Sequence, residues 1–103
     1  MASGRLGVAD LAAVTNTTIY TCAAPSFAVV NINLCNRGAT SVVVRIAVAA
    51  SATPALGEYI EYGVTIPANG VIERTGVLMS PTNQLVVYAS AINISATIFG
   101  VET

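Results

Sequence analysis

Apolar and polar residues alternate with a period of two along much of this chain. In the segment FAVVNINLCN, residues Ala28, Val30, Ile32 and Leu34 fall on one face, and mostly polar or aromatic residues fall on the other. Strict alternation of this kind is typical of a β-strand with one buried face. No segment repeats its apolar residues at the spacing of a helix, so the pattern predicts strands throughout.

Glycine, proline and asparagine interrupt the alternating segments at intervals of about 8–12 residues, which is the spacing of short antiparallel strands joined by turns. Seven to eight short strands are predicted in this way. The fold class is therefore all-β, an antiparallel β-sandwich that is either immunoglobulin-like or jelly-roll-like. The predicted strand segments are TTIYTC, FAVVNINLCN, SVVVRIAVAA, EYIEY, VTI, VIERTGVLM, QLVVYAS and NISATIFGV.

The first part of the chain has a weaker pattern. Residues 1–16 are small and loosely patterned, and they are predicted to form an N-terminal arm ahead of a β-sandwich domain at residues 17–103. Such an arm either frays at the terminus or orders against a neighbouring subunit as an interface arm. Its candidate interface residues are Leu6, Val8, Leu11 and Val14.

The composition predicts a surface that meets other proteins. Hydrophobic residues make up 54% of the chain and charged residues 9%, against a usual charged share of about 25%. Exposed apolar area on this scale indicates a partner surface, formed by copies of the chain or by other proteins. The net charge is −1 with four basic residues, which is too few for a nucleic-acid footprint or a polybasic membrane patch. Neither nucleic acid nor membrane is expected as a partner.

The two cysteines are expected to be free thiols. The N-terminal segment MASGRLGVADLAAV has no unbroken apolar core and makes a poor signal peptide, so an intracellular, reducing environment is the default expectation. A hairpin turning at AAPS would in addition place Cys22 opposite Phe27 rather than opposite Cys35.

Residue types that catalysis commonly needs are missing. Without histidine the chain has no Ser-His-Asp or Cys-His arrangement, and without lysine it has no phosphate-loop lysine or Schiff base. Two cysteines with no histidine do not complete a tetrahedral zinc site. We therefore expect no enzyme, no catalytic, metal or cofactor-binding residues, and no cofactor.

Four of the nine charged residues lie in the stretch GEYIEYGVTIPANGVIERTG. Strand positions three apart point to opposite faces, so Glu58 and Glu61 are not expected to share a cleft as paired catalytic carboxylates. The alternatives are structural or interface ion pairs and solvated charges on an edge strand. Arg45 either extends its head to water or forms a bidentate bridge to a carboxylate. The candidate ion-pair residues are Arg45, Glu58, Glu61, Glu73 and Arg74.

The aromatic residues are not expected to form a sugar-binding platform. There is no tryptophan, and Tyr59 and Tyr62 are three positions apart, so strand alternation predicts that they face opposite ways. The other aromatics are interpreted as core or interface residues. They are Tyr20, Phe27, Tyr88 and Phe99.

The segments NTTIYT, VNINLCNRG, VVRIAVA, EYIEYGVTIPANGVIERTG, VVYAS and ISATIFGVE, between residues 16 and 102, resemble small virion proteins of tailed bacteriophages, including cyanophages. The resemblance is to proteins of the decoration or fibre-like kind, and LCNRG and EYIEY with NGVIERTG are its most specific pieces. It implies a non-enzymatic building block present in many copies, with an immunoglobulin-like sandwich, in a virion that is assembled in the host cytoplasm. No catalytic motif belongs to this pattern, so no functional residue is transferred.

Three functional hypotheses follow. The first is a capsid decoration (cement) protein that binds the shell as a small homo-oligomer, most simply a trimer, with the major capsid protein as its other partner. The second is a tail, collar or fibre component that faces a receptor. The third, less favoured by the aromatic pattern, is a carbohydrate-binding module.

Overall fold

A computed structural model describes residues 2–103, which form eight β-strands and one short 3₁₀ turn. The strands are antiparallel and make two sheets of four strands each. The all-β sandwich predicted from the sequence is confirmed. The elements are β1 (Ala2–Asp10), β2 (Thr15–Thr21), β3 (Ala28–Asn36), β4 (Val42–Ala49), the 3₁₀ turn (Leu56–Glu58), β5 (Tyr59–Ile66), β6 (Val71–Met79), β7 (Gln84–Ala89) and β8 (Ile94–Glu102).

The strand order is that of a jelly roll. Sheet I has the order β1-β8-β3-β6, and sheet II has the order β2-β7-β4-β5. The first strand pairs with the eighth, the second with the seventh, the third with the sixth and the fourth with the fifth. This nested pairing is a long antiparallel ribbon folded over so that successive strand pairs alternate between the two sheets. Of the two sandwich types predicted, the structure has the jelly roll, and the immunoglobulin-like sheets implied by the resemblance are not formed.

Two turns that looked like hairpins instead carry the chain from one sheet to the other. The turn at AAPS joins β2 of sheet II to β3 of sheet I, so Cys22 and Phe27 are not cross-strand neighbours. The PANG turn likewise joins β5 of sheet II to β6 of sheet I. A turn signal marks a reversal of the chain but not the sheet that the next strand joins, which explains the error. Both cysteines are nevertheless free, as predicted; Cys22 is buried and Cys35 is half-buried.

The N-terminal segment differs from the predicted arm at 1–16. Residues 2–10 form β1, an edge strand of sheet I that pairs with β8 from Ala2 opposite Glu102 to Asp10 opposite Ser95. Its pattern is weak because the strand is only half covered and includes Gly7, where a Cβ would collide with the backbone carbonyl of Ile19 on β2. The sandwich therefore includes this segment rather than starting at residue 17.

The four apolar residues of that segment separate into two groups. Leu11 is buried in the core and Leu6 packs against it. Val8 and Val14 are exposed, and Val14 has a positive φ in the turn before β2. Only Val8 and Val14 are thus left free for contact with another subunit.

The core lies between the two sheets and consists of the inward-facing residues of both sheets. The predicted inner face of β3 is confirmed, because Ala28, Val30, Ile32 and Leu34 are all fully buried. Val44 and Ile46 on β4 meet them from sheet II. Each fully buried side chain of valine, leucine or isoleucine contributes roughly 1.5–3 kcal/mol, so this layer supplies the main driving force for folding.

Candidate functional site

The structure joins two of the predicted ion-pair residues across one open side of the sandwich. Arg74 Nη1 donates to Glu61 Oε2 at 2.8 Å. The two residues sit on the edge strands β6 and β5 of different sheets, in register with the buried residues Ile32 and Ile46. Charged side chains at such edge positions hinder pairing with strands of another molecule. The pair thus links the two sheets at this open side of the sandwich.

Arg74→Ala is expected to lower the free energy of unfolding by about 0.5–1 kcal/mol, because the pair is partly exposed and salt bridges of this kind are weak. A double-mutant cycle with Glu61→Gln, measured by urea denaturation, should show coupling of the same size. Arg5→Ala, which removes an arginine outside the pair, is the control. Additive effects of the two substitutions would contradict an energetic role for this salt bridge.

The remaining predicted acids are not ion-paired among residues 2–103. Glu58 precedes β5, and its carboxylate accepts the backbone N–H groups of Ala50 at 3.0 Å and Ala55 at 2.8 Å, which fixes the loop after β4. Glu73 lies opposite Asn33 on the outer face of sheet I. A second salt bridge joins Arg37 to Asp10 at 2.6 Å, and the sequence offered no signal for it because the two residues meet only through the topology.

Arg45 forms no salt bridge to a carboxylate of the described residues, and its head packs against aromatic rings, an arrangement that was not considered from the sequence. It lies on the outer face of β4 between its two cross-strand neighbours, Tyr62 on β5 and Tyr88 on β7. Its guanidinium carbon is 4.5 Å from the ring centroid of Tyr62 and 4.6 Å from that of Tyr88. Both distances are those of cation–π contacts. The Nε atom is buried and has no hydrogen-bond partner among the described residues.

Tyr59 joins the same group, although strand alternation predicted that it would face away from Tyr62. The register of β4 and β5 shifts twice, so that Arg45 lies opposite Tyr62 and Ala47 lies opposite Tyr59. Arg45 and Ala47 are two positions apart and share a face, which places both tyrosines on that face. Their ring centroids are 4.9 Å apart in an edge-to-face arrangement. The prediction that Tyr59 and Tyr62 face opposite ways was wrong.

We call Arg45, Tyr59, Tyr62 and Tyr88 the tyrosine–arginine cluster. It lies over Ala47 and Val86, which are outward residues of sheet II and yet fully buried. Two polar residues of β2 continue the same face. Asn16 lies opposite Tyr88, and Thr18 lies opposite Val86 and donates to Gln84 Oε1 at 3.0 Å. The cluster is thus an aromatic surface with one cation and a neutral polar border.

The outer face of sheet I has a different character. Val29 on β3 is flanked by Leu78 on β6 and Val101 on β8, and Phe27 precedes it by two residues. These side chains retain large exposures, 53% for Phe27, 46% for Val29, 66% for Leu78 and 42% for Val101. We call these four residues the apolar row. It runs across three neighbouring strands of sheet I, β6, β3 and β8.

A third group of side chains stands where β2 ends beside β8. Ala23 N–H donates to Glu102 Oε1 at 2.9 Å, and this bond lowers the pKa of Glu102, helped by the neighbouring Tyr20 hydroxyl. The Tyr20 hydroxyl is buried beside this carboxylate. Burial raises the pKa of Tyr20, and the Glu102 carboxylate raises it further. Burial also raises the pKa of the Cys22 thiol.

The lowered pKa of Glu102 predicts a loss of stability in acid. Its ordinary value is 4.5, so as the pH falls the unfolded chain binds the proton before the folded chain does. The stabilising contribution is complete above the unfolded pKa and is lost as the pH drops through the folded pKa. Thermal denaturation between about pH 5 and pH 3 should show a flatter decline for Glu102→Gln than for the wild type. Glu73→Gln, which alters an acid with no hydrogen bond or salt bridge to residues 2–103, is the control, and identical slopes for all three proteins would contradict the prediction.

The described part of the chain contains no pocket and no group of three or more histidine, cysteine, aspartate or glutamate residues placed to hold a metal ion. None of its segments forms a helix long and apolar enough to cross a membrane. No protein-family model, no curated protein and no solved structure matches this chain. The outer face of sheet I carries the apolar row, and the outer face of sheet II carries the tyrosine–arginine cluster.

Proposed function

We propose that this chain is a non-enzymatic structural protein of a tailed-phage virion, a capsid decoration protein that associates with copies of itself and binds the shell. The observation that carries the proposal is the apolar row on the outer face of sheet I. Its four large side chains are contiguous, half or more exposed in two cases and nearly so in the others. A continuous apolar patch of this kind is typical of a surface that another protein covers.

A second copy of the chain is the occupant that fits the apolar row best. The row contains no charged residue, so two copies related by rotation can bring their rows together without placing like charges in contact. Symmetric association buries the same patch on every copy. At about 25 cal/mol per Å² of apolar surface, covering such a row supports a contact of modest strength.

A modest contact suits a protein that acts in many copies. Once the subunits of a small oligomer are linked, each additional contact with a repeating shell forms at high effective concentration, and overall binding becomes firm. Contact with the major capsid protein would then involve surfaces that the oligomer leaves open.

Two further considerations support the virion assignment. The segments between residues 16 and 102 resemble phage virion proteins in the identity and order of their residues. Jelly rolls are also frequent in viral capsid domains. The same fold also occurs in lectins, so the fold alone does not assign the function. The weight of the proposal rests on the surface rather than on the topology.

Leu78→Glu tests the proposal, because it places a charge at the most exposed position of the apolar row. Sedimentation of the purified chain should show an oligomer for the wild type and a monomer for this variant. Leu56→Glu is the matched control, since Leu56 is 83% exposed in the turn before β5, outside the row, and should leave the oligomer intact. A wild-type protein that stays monomeric at high concentration and does not bind phage particles would overturn the proposal.

The number of copies in purified particles separates a decoration protein from a tail, collar or fibre component. Hundreds of copies that can be stripped from the shell, with a loss of its resistance to heat, support the decoration role. A few copies that co-purify with tails would move the assignment to the tail.

A further inference from the structure

We propose that the tyrosine–arginine cluster binds the carboxylate of an acidic sugar, such as a hexuronic acid residue of a polysaccharide. This site is on the opposite face of the sandwich from the apolar row. The proposal that it binds a sugar does not depend on whether the chain forms an oligomer or belongs to a virion. Three features of the cluster carry the inference: an arginine without a carboxylate partner, its fixed position between two rings, and a polar border that bears no charge.

Arg45 is a cation that the described chain does not neutralise. None of its guanidinium nitrogens donates a hydrogen bond to residues 2–103, and no carboxylate lies within salt-bridge distance. The nearby acids are engaged elsewhere, Glu61 with Arg74 and Glu58 with backbone N–H groups. A guanidinium presents a planar fork of donors, and the carboxylate is the planar two-oxygen acceptor that matches it.

The two flanking rings prepare Arg45 for binding. Tyr62 and Tyr88 hold the guanidinium from both sides at 4.5 and 4.6 Å, so the side chain loses little further freedom when a ligand arrives. Ordering a long side chain otherwise costs conformational entropy on binding. Such a fixed arginine favours a ligand that offers a carboxylate in one orientation.

The surroundings of Arg45 favour a sugar as the carrier of that carboxylate. Tyr62 is 57% exposed, so part of its ring is free to lie against the C–H groups of a pyranose. The hydroxyls of the three tyrosines and the amide of Asn16 are neutral donors and acceptors, suited to sugar hydroxyls. No second cation among the cluster and its border calls for a more highly charged ligand such as a phosphate. The cluster and its border extend across the four strands of sheet II, which offers room for more than one residue of a polysaccharide.

Titration of the isotopically labelled protein, followed by nuclear magnetic resonance, tests the inference with three small probes. Glucuronate carries both the sugar and the carboxylate, glucose carries the sugar alone, and acetate carries the carboxylate alone. Glucuronate should shift signals of β4, β5 and β7 around the cluster with a dissociation constant of about 1–10 mM, as expected for one exposed monosaccharide site. Glucose and acetate should bind at least about tenfold more weakly, because each lacks one of the two recognised parts.

Variants connect the binding to the cluster. Arg45→Lys keeps the charge but loses the planar fork, and Tyr62→Ala removes the exposed ring; each should weaken glucuronate binding by about tenfold or more. Arg37→Gln, which removes an arginine that pairs with Asp10 outside the cluster, should bind like the wild type. If Arg45→Lys does not fold, the probe comparison on the wild-type protein decides alone.

Four results with the wild-type protein would overturn the inference. Glucuronate could leave the cluster signals unchanged at concentrations well above 10 mM, or it could shift signals elsewhere on the chain. Acetate could bind as well as glucuronate, which would assign Arg45 to acidic side chains of a protein partner instead of a sugar. Glucose could match glucuronate, which would make the carboxylate irrelevant.

Discussion

Gly100→Ala is expected to destabilise the protein by about 3–5 kcal/mol, the range of a severe single substitution. Gly100 lies in β8, a central strand of sheet I, between Gly4 on β1 and Val30 on β3. A Cβ at this position would overlap the carbonyl oxygen of Val29 and lie 2.8 Å from the Cα of Val30. These are backbone atoms of a central strand, so no side-chain rotation relieves the collision and β3 itself must move.

Urea denaturation followed by tyrosine fluorescence measures this effect. A loss of this size is a large part of the total stability of a small domain, about 5–15 kcal/mol, so the urea midpoint of the Gly100→Ala protein should fall well below that of the wild type. Gly57→Ala is the matched control, since Gly57 has no atom within 4 Å of the added Cβ, and its stability should change by no more than about 0.5 kcal/mol. A Gly100→Ala protein within 1 kcal/mol of the wild type would show that β3 and β8 separate easily at this point.

Asn36→Ala is expected to lower the free energy of unfolding by about 2–4 kcal/mol, because buried polar groups lose their partners. Asn36 ends β3 and is fully buried. Its Nδ2 donates to the carbonyl oxygens of Thr40 at 2.9 Å, Ile66 at 3.1 Å and Pro67 at 3.2 Å. Its Oδ1 accepts the N–H of Gly38 at 2.9 Å. One side chain therefore ties the loop after β3 to the end of β5 and to the turn that follows.

The matched control for Asn36→Ala lies on the same strand. Asn33 points to the outer face of sheet I, and its side chain makes no hydrogen bond to the described residues; Asn33→Ala should change stability by about 0.5 kcal/mol or less. Asn36→Asp adds a second measurement, because a carboxylate donates to none of the three carbonyls at neutral pH, and its loss should exceed that of alanine. Equal, small effects at positions 36 and 33 would contradict a structural role for Asn36.

Within the proposed function, the two outer faces of the sandwich would bind different partners. The apolar row on sheet I offers a surface without charge for sister copies, whereas the tyrosine–arginine cluster on sheet II offers an aromatic surface with one fixed cation. Oligomerisation through sheet I would leave the clusters of all copies exposed on the other side. Weak sugar contacts at the clusters would then add up across an oligomer.

Much of the local structure could be predicted from the sequence. Alternation assigned the buried and exposed faces of β3 correctly because that strand is central and evenly half-buried. It could not assign β1 in the same way, because an edge strand with small residues has little pattern to show. The cluster was missed for a related reason: alternation counts positions along a regular strand, and two shifts of register in β5 moved Tyr59 and Tyr62 to one face.

The sequence by itself determined that the chain forms short antiparallel strands around an apolar core, and that its charges are few and concentrated between residues 57 and 76. These properties depend on neighbouring positions, whose period and polarity can be counted along the chain. Only the tertiary structure decided that the strands nest as a jelly roll, that Arg74 meets Glu61 across two sheets and that Arg45 lies between two tyrosines. These features depend on which distant strands become neighbours and on where bulges shift the register. Neither the long-range topology nor a bulge produces a periodic pattern in the sequence.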